Sequence, residues 1–482
     1  MSVSVQPRAD VSMTGRSPAL PVEPGPVADR RRAGFALAEA LLGFFMITLD
    51  AVIVNVALPS IQRDLGGGVT GLAWVVDGYT LLFAALLLAA GSLADRISPR
   101  RACGWGMAVF VVASVGCALA PGLGALVAAR LVQGSAAAVL MPSAMALLSS
   151  AYPDPVRRAR ALAIWAMGGS VASVSGPVLG GVLDLVDWRL IFLINLPVGA
   201  VALALLTRAP RLPGRLPAER VRFDWFGQVT AVLAMGGLVF GVIEAGTVGF
   251  TDPRVAVALA VAAVALVLFV FAEARGAHPM VPARLVRSRP VVLAVLIGFA
   301  FMVGYYGLPF VVSLWLQQGR GLSALGTGAV FLPMMLIGLA LTPFTARLGE
   351  RFGRPVLITT GLAAMTAGAL ALALASTGTP FWVLAGLLVP VGLGGPLVMP
   401  PTMAVLLDHA PAGLTGTASG VFNTSRQLGG ALAIAVFGAL LAHPDTFAEG
   451  VRASALIATG VAALTTIACV LLRGRFRTEK HS

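Results

Sequence analysis

The sequence predicts an all-α polytopic membrane protein with fourteen transmembrane helices, and three observations carry that prediction. Of its 482 residues 58% are hydrophobic and only 11% charged, where an ordinary globular chain has about a quarter charged; mean hydropathy is +0.90. Apolar runs of about 20 residues, enough to cross a hydrocarbon core of about 30 Å as helices, recur along the whole length. The basic residues fall between those runs with a strong sidedness. The short alternating segments of a transmembrane barrel are absent from the pattern.

Ending each apolar stretch at proline, glycine or charge places the spans near 35-60, 71-93, 102-120, 123-150, 161-185, 189-208, 225-246, 254-274, 291-316, 325-346, 355-376, 381-407, 415-441 and 453-472. With the N-terminus cytoplasmic, 27 of the 34 basic residues lie inside, and five, Arg63, Arg189, Arg254, Arg320 and Arg452, lie outside. Arg130 and Arg426 fall within spans. Adding or losing one span would scramble this positive-inside bias, so both termini are expected in the cytoplasm.

Residues 1-33 read as a disordered cytoplasmic tail, 34-208 as a six-helix bundle, 209-290 as two additional helices with cytoplasmic linkers, 291-472 as a second six-helix bundle and 473-482 as a cytoplasmic tail. The halves are suggested by an internal likeness. GSLADRISPRR from Gly91 follows the second span, and a degraded copy, TARLGERFGRP from Thr345, follows the tenth. Repeated halves around a midplane site are the usual plan of a secondary transporter.

Several function classes are excluded. The formal charge of +13 would raise nucleic acid as a partner in a soluble chain, but here the basic residues flank spans and set orientation, so no nucleic acid is expected. The only lysine is Lys480, which leaves no phosphate-binding loop of the GxxxxGKS type and no direct ATP drive. Cys103, Cys117 and Cys469 lie in spans and read as small core residues, while the four histidines fall in loops or the tail. No enzyme chemistry, metal or cofactor is expected.

The residues that carry chemistry are the polar ones inside spans. Asp50 sits in LLGFFMITLDAVIVNVALPSI, and a charge at mid-bilayer costs about 2.5 to 3.5 kcal/mol on insertion scales, so the acid is by default a proton, ion or substrate site. Arg130 lies about 12 Å into the fourth span, at a depth comparable to that of Asp50, with Gln133 at hand for its remaining donors. Asp77, between Trp74 and Tyr79, suits a lipophilic cation through charge and cation–π attraction, or else is an acid solvated at the interface. Glu39, Glu244 and Glu273, close to span ends, read as solvated or snorkelling. Asp95 and Arg96, with Arg100 and Arg101 after Gly91, read as an ion-pair latch on the cytoplasmic side. In the second half, Asn423, Arg426 and Gln427 with Tyr305 and Tyr306 supply the aromatic walls and few polar groups of a pocket for amphipathic molecules, unless the aromatics face lipid. The fifth span, with Gly176, Pro177, Gly180 and Gly181, allows close helix approach and a bend.

Six stretches taken in order, LDAVIVNVALPSI, GSLADRISPRR, RLVQG, GPVLGG, WRLIFLINLPVG and FNTSRQLGGALAIAVFG, make the chain resemble the major facilitator superfamily. Within it the chain resembles the fourteen-span drug:proton antiporters of bacteria, from Leu41 to about Leu472. The resemblance implies the major facilitator fold, export of small molecules driven by protons at the bacterial inner membrane, and a monomer in the lipid bilayer. It makes Arg130 the buried basic residue that tunes proton transfer at Asp50, and Gly176 to Gly181 the motif of antiporters rather than importers; Asn55 joins Trp74, Asp77 and Tyr79 as a candidate cargo residue. Ser98 and Pro99 depart from the family pattern, which has glycine and a basic residue there. The alternative cargo is a single endogenous metabolite or self-made antibiotic.

Overall fold

In the computed structural model, residues 26–208, 224–276, 279–411 and 414–472 are described, with the side chains of 91–97 among those outside the description. Among the described residues fourteen long helices follow one another: α1 Pro26–Leu65, α2 Gly68–Ile97, α3 Pro99–Ala118, α4 Leu123–Ala151, α5 Pro155–Asp184, α6 Leu190–Arg208, α7 Trp225–Val248 and α8 Pro253–Arg275. After these come α9 Arg289–Gly319, α10 Ala324–Phe352, α11 Arg354–Leu374, α12 Phe381–His409, α13 Thr415–Leu440 and α14 Phe447–Leu472. Where no water is present to bond the backbone, a helix satisfies every N–H and C=O within itself. Local chemistry starts many of them: Asp154, Asp224, Asp252 and Ser323 cap α5, α7, α8 and α10 with side-chain acceptors, and proline opens α3, α5 and α8.

Thirteen helices among the described residues are long and apolar enough to cross a membrane. The helix missing from that set is α13, although it has 26 residues, because Asn423, Thr424, Ser425, Arg426 and Gln427 dilute its apolar character. α1 begins at Pro26, inside the stretch expected as a tail. The linker expected at 209–223 and the C-terminal tail lie outside the described residues.

The two halves repeat one packing scheme. In the first, α1 lies on α5, α4 and α6, α4 lies on α2 and α3, and α3 on α6; in the second, α9 lies on α13, α12 and α14, α12 on α10 and α11, and α11 on α14. The halves meet along two seams, α2 against α13 and α5 against α10, which are each other's counterparts under the repeat. α7 packs on α2 and α13, and α8 packs mainly on α7.

The described contacts between halves gather toward the face opposite the chain ends. There Ser313 Oγ donates to the Asn55 carbonyl at 2.7 Å, Gln317 Nε2 to the Val56 carbonyl at 3.0 Å and Gln318 Nε2 to Gln62 Oε1 at 2.6 Å. Along the α5–α10 seam a methyl on Gly181 would lie 2.7 Å from Leu325 Cα, and one on Gly328 would lie 2.5 Å from the Pro177 carbonyl. In lipid, such small-residue approach is the main source of helix affinity. Nearer the chain ends, residues 423–428 of α13 are half-buried.

The internal likeness extends to the backbone. Ser98, between α2 and α3, has φ 95° and ψ 138°, and Gly353, between α10 and α11, has φ 87° and ψ 140°. Glycine reaches this region freely, and a side chain there is strained. Ser98 is the one non-glycine residue with positive φ among the described residues, which gives the family's glycine at this position its physical reason.

Candidate functional site

Five helices of the first half converge on Asp50, which is 0% exposed, as is Arg130. Arg130 Nη1 pairs with Asp50 Oδ2 and also donates to Gln133 Oε1 at 3.0 Å, while its Nε donates to the Val75 carbonyl at 2.9 Å. The other carboxylate oxygen accepts from Asn195 Nδ2 at 2.8 Å and Gln133 Nε2 at 3.1 Å. Ser114 Oγ accepts from Gln133 at 2.8 Å and from Asn195 at 3.3 Å, and the Cys117 thiol donates to Gln133 Oε1 at 3.1 Å. The Arg130 guanidinium lies over the Tyr79 ring at 4.5 Å, and Tyr79 bonds the Ile47 carbonyl at 3.2 Å.

Asp50 therefore comes from α1, Tyr79 and Val75 from α2, Ser114 and Cys117 from α3, Arg130 and Gln133 from α4, and Asn195 from α6. Both carboxylate oxygens and Arg130 Nε and Nη1 are bonded, while Arg130 Nη2 has no hydrogen-bond partner; removing either member of a buried ion pair leaves an uncompensated charge. Adding a proton to Asp50 removes the negative partner, so the protonation state of one atom pair bears on the packing of five helices.

The expected cargo group on α2 does not stay together. Successive helix residues are about 100° apart, so Asp77 and Tyr79 point to nearly opposite faces. Tyr79 belongs to the Asp50 cluster, Trp74 turns to α7, where its Nε1 donates to Glu244 Oε1 at 3.3 Å, and Asp77 enters the α2–α13 seam. Asp77 is 0% exposed and neither of its oxygens has a hydrogen-bond partner, which overturns the reading of an interfacial, solvated acid. It is bracketed by two contact layers. A methyl on Gly438 would lie 3.0 Å from Ala73, and one on Gly430 would lie 3.9 Å from Thr80 and Tyr306 and 3.6 Å from Met302.

Asn55 is buried where α1 meets α9 and bonds Val52 at 3.4 Å. Tyr305 stacks on Phe301 at 4.7 Å, and Phe310 and Trp315 are buried, so the α9 aromatics pack inside the protein and not against lipid. Arg426 Nη1 donates to Asn423 Oδ1 at 3.1 Å, and Gln427 is half-buried beside it. Gly176 and Gly180 face Val52 and Ile53 of α1, while Gly181 faces α10. Of the expected latch, Gly91, Asp95 and Arg96 lie outside the described side chains; Arg100 bonds the Thr207 carbonyl at 2.9 Å and Arg101 is exposed.

Three acids expected in solvent are engaged. Glu39 is 0% exposed and accepts from the Cys103 thiol at 2.8 Å, so neither is a passive filler. Glu244 holds Trp74, and Glu273 accepts the Met280 and Val281 N–H groups at 3.2 and 2.7 Å. Asn195, Ser114 and Cys117 were not anticipated. Asn195 had a signal, an amide inside the apolar run WRLIFLINLPVG, whereas serine and cysteine are unremarkable in helices.

A two-half helical bundle with a buried ion pair in one half and polar seams between halves is the build of a membrane transporter. A family model described as Major Facilitator Superfamily matches residues 40–434, and the chain belongs to that superfamily. It is 35% identical over 433 residues, 90% of each chain, to a methylenomycin A resistance protein of Streptomyces coelicolor. It is 37% identical to the multidrug resistance protein Stp of Mycobacterium tuberculosis over 83% of this chain and 74% of that one. To the cephamycin export protein CmcT of Amycolatopsis lactamdurans it is 37% identical over 83% of each. A crystal structure of a POT family transporter with a thioalcohol conjugated peptide superposes with a TM-score of 0.68 at 15% identity, covering 93% of this chain and 97% of that one, a likeness of fold alone. The chain is a transporter and not an enzyme.

Proposed function

We propose that this protein exports drug-like or antibiotic small molecules across the bacterial inner membrane in exchange for protons, by alternating access. The observation that carries the reading is the Asp50–Arg130 pair, fully buried in one half and tied to five helices. A proton arriving at Asp50 from outside breaks the pair and reorganises the half, and its release toward the cytoplasm restores it. Proton and cargo are coupled if each stabilises a different state of the bundle.

The positive-inside bias puts both termini in the cytoplasm, and α13 then completes fourteen spans, held in place by its packing on α2, α7 and α9. With that orientation the bonded face at Asn55, Val56 and Gln62 is the outer one. The protein acts as a monomer. A second reading, export of one endogenous metabolite or self-made antibiotic, is favoured by relatives named for methylenomycin A and cephamycin.

The test is proton flux in inverted vesicles containing the protein, followed with a pH-sensitive dye as candidate cargo is added. Wild type is expected to exchange protons for cargo, and Asp50→Asn, present in the membrane at equal level, is expected not to. Undiminished exchange by Asp50→Asn would overturn the mechanism.

A further inference from the structure

The second half carries its own intramembrane arginine, and its surroundings differ from those of Arg130. Arg426, on α13, is half-buried, as are its neighbours from 423 to 428. Its Nη1 donates to Asn423 Oδ1 at 3.1 Å, its Nη2 lies 4.0 Å from Met302 Sδ, and its Nε has no acceptor. The guanidinium stands 5.9 Å from the Phe422 ring, and its stem runs against α9 at Gly298. No carboxylate pairs with it among the described residues.

A guanidinium is charged under all physiological conditions and offers five N–H donors in a planar fork that matches an oxyanion. An amide oxygen and a thioether can bond two of those donors but cannot neutralise the charge. Inside a membrane, charged residues face the bundle interior or a water-filled cavity and pair with one another or with backbone carbonyls. The charge of Arg426 is therefore open to a counter-ion that comes and goes.

The nearest acid in the α2–α13 seam does not fill that role. Asp77 lies on the other side of the layer made by Thr80, Gly430, Met302 and Tyr306, toward the sealed face. Gly430 is itself one helical turn beyond Arg426, about 6 Å along the axis.

Resting on the export reading above, we propose that Arg426 anchors the anionic group, a carboxylate or sulfonate, of an amphipathic cargo molecule, whose apolar part packs against Phe422 and Tyr306. The cargo enters from the open side and stops beneath the closed layer. When the seam opens on the other face, the anion meets the Asp77 carboxylate, and like charge favours release. Export of a monoanion against an entering proton moves charge in one direction, so the membrane potential drives it as well as the pH gradient.

The experiment measures uptake of radiolabelled benzylpenicillin, an amphipathic carboxylate, and of the cation tetraphenylphosphonium into inverted vesicles energised acid and positive inside. Wild type, Arg426→Gln and Arg426→Lys are compared at matched protein level. The expected result is benzylpenicillin uptake by wild type, raised further by an interior-positive potassium–valinomycin potential. That uptake falls tenfold or more in Arg426→Gln and is partly restored in Arg426→Lys. Uptake of tetraphenylphosphonium but not benzylpenicillin by wild type overturns the inference and leaves proton-coupled export standing. So does unchanged benzylpenicillin uptake in Arg426→Gln. Uptake of neither probe overturns the drug-export reading, and this inference with it.

Discussion

The two halves of the molecule share a packing scheme and part company at their arginines. Arg130 sits wholly inside its half, paired with Asp50 and bonded to Gln133 and Val75. Arg426 sits in the other half with one amide oxygen, a distant sulfur and, among the described residues, no acid. The two arginines are not counterparts under the repeat: Arg130 is on α4, which corresponds to α12, and Arg426 is on α13, which corresponds to α5. The difference lies in what surrounds each arginine: a buried carboxylate with its polar cluster in the first half, and an amide oxygen and a thioether in the second.

That contrast is most sharply broken by deletion of each arginine. Arg130→Leu strands the Asp50 carboxylate in a dry site and is expected to cost about 3–5 kcal/mol, read as a loss of thermal stability in detergent. Arg426→Leu should cost far less in the same assay, because no buried carboxylate is stranded. Equal losses would erase the distinction.

Smaller effects sharpen it. Asn195→Ala removes a donor from Asp50 Oδ1 and is expected to cost about 1–3 kcal/mol, with proton exchange lowered in step. Ser98→Gly relieves a positive φ and should raise stability by about 1–3 kcal/mol; a neutral result would mean that the loop relaxes freely. In a double-mutant cycle, Asp50→Asn with Arg130→Gln should show coupling of about 0.5–3 kcal/mol. The cycle Asp77→Asn with Arg426→Gln should show nearly none, since these residues are not in contact.

How much of this was legible depended on which physical signal each residue leaves. Spans declare themselves through apolar length, and the basic residues between them count the crossings. α13 shows the limit, because the polar run Asn423 to Gln427 that makes it interesting also lowers the apolar signal. The comparable depth of Asp50 and Arg130 is a one-dimensional quantity that a sequence does contain, while their partnership came from the resemblance to the fourteen-span antiporters. Depth says nothing of azimuth, and so Trp74, Asp77 and Tyr79, neighbours in the chain, were expected to act together and instead serve α7, the seam and the Asp50 cluster. The helical wheel already separates Asp77 from Tyr79. The burial of Glu39 was not legible, because it depends on the Cys103 thiol sixty-four residues away.

The pair α7 and α8 has an implication for the setting of the protein rather than its mechanism. Only 17% of α8's most apolar stretch is buried within the protein. Its other faces carry Val257, Val264, Val267, Val270 and Phe271, all exposed by more than half. Lipid is therefore the greater part of this helix's environment. A bilayer thicker or thinner than its apolar length must deform, or tilt the helix, at a cost of fractions of a kcal/mol per Å. Since α7 bonds α2 through Gln228 and the Ala85 carbonyl at 2.7 Å, that tension reaches the seam between the halves. The hairpin of α7 and α8 is therefore the part of the fold whose surroundings a change in acyl-chain length alters most.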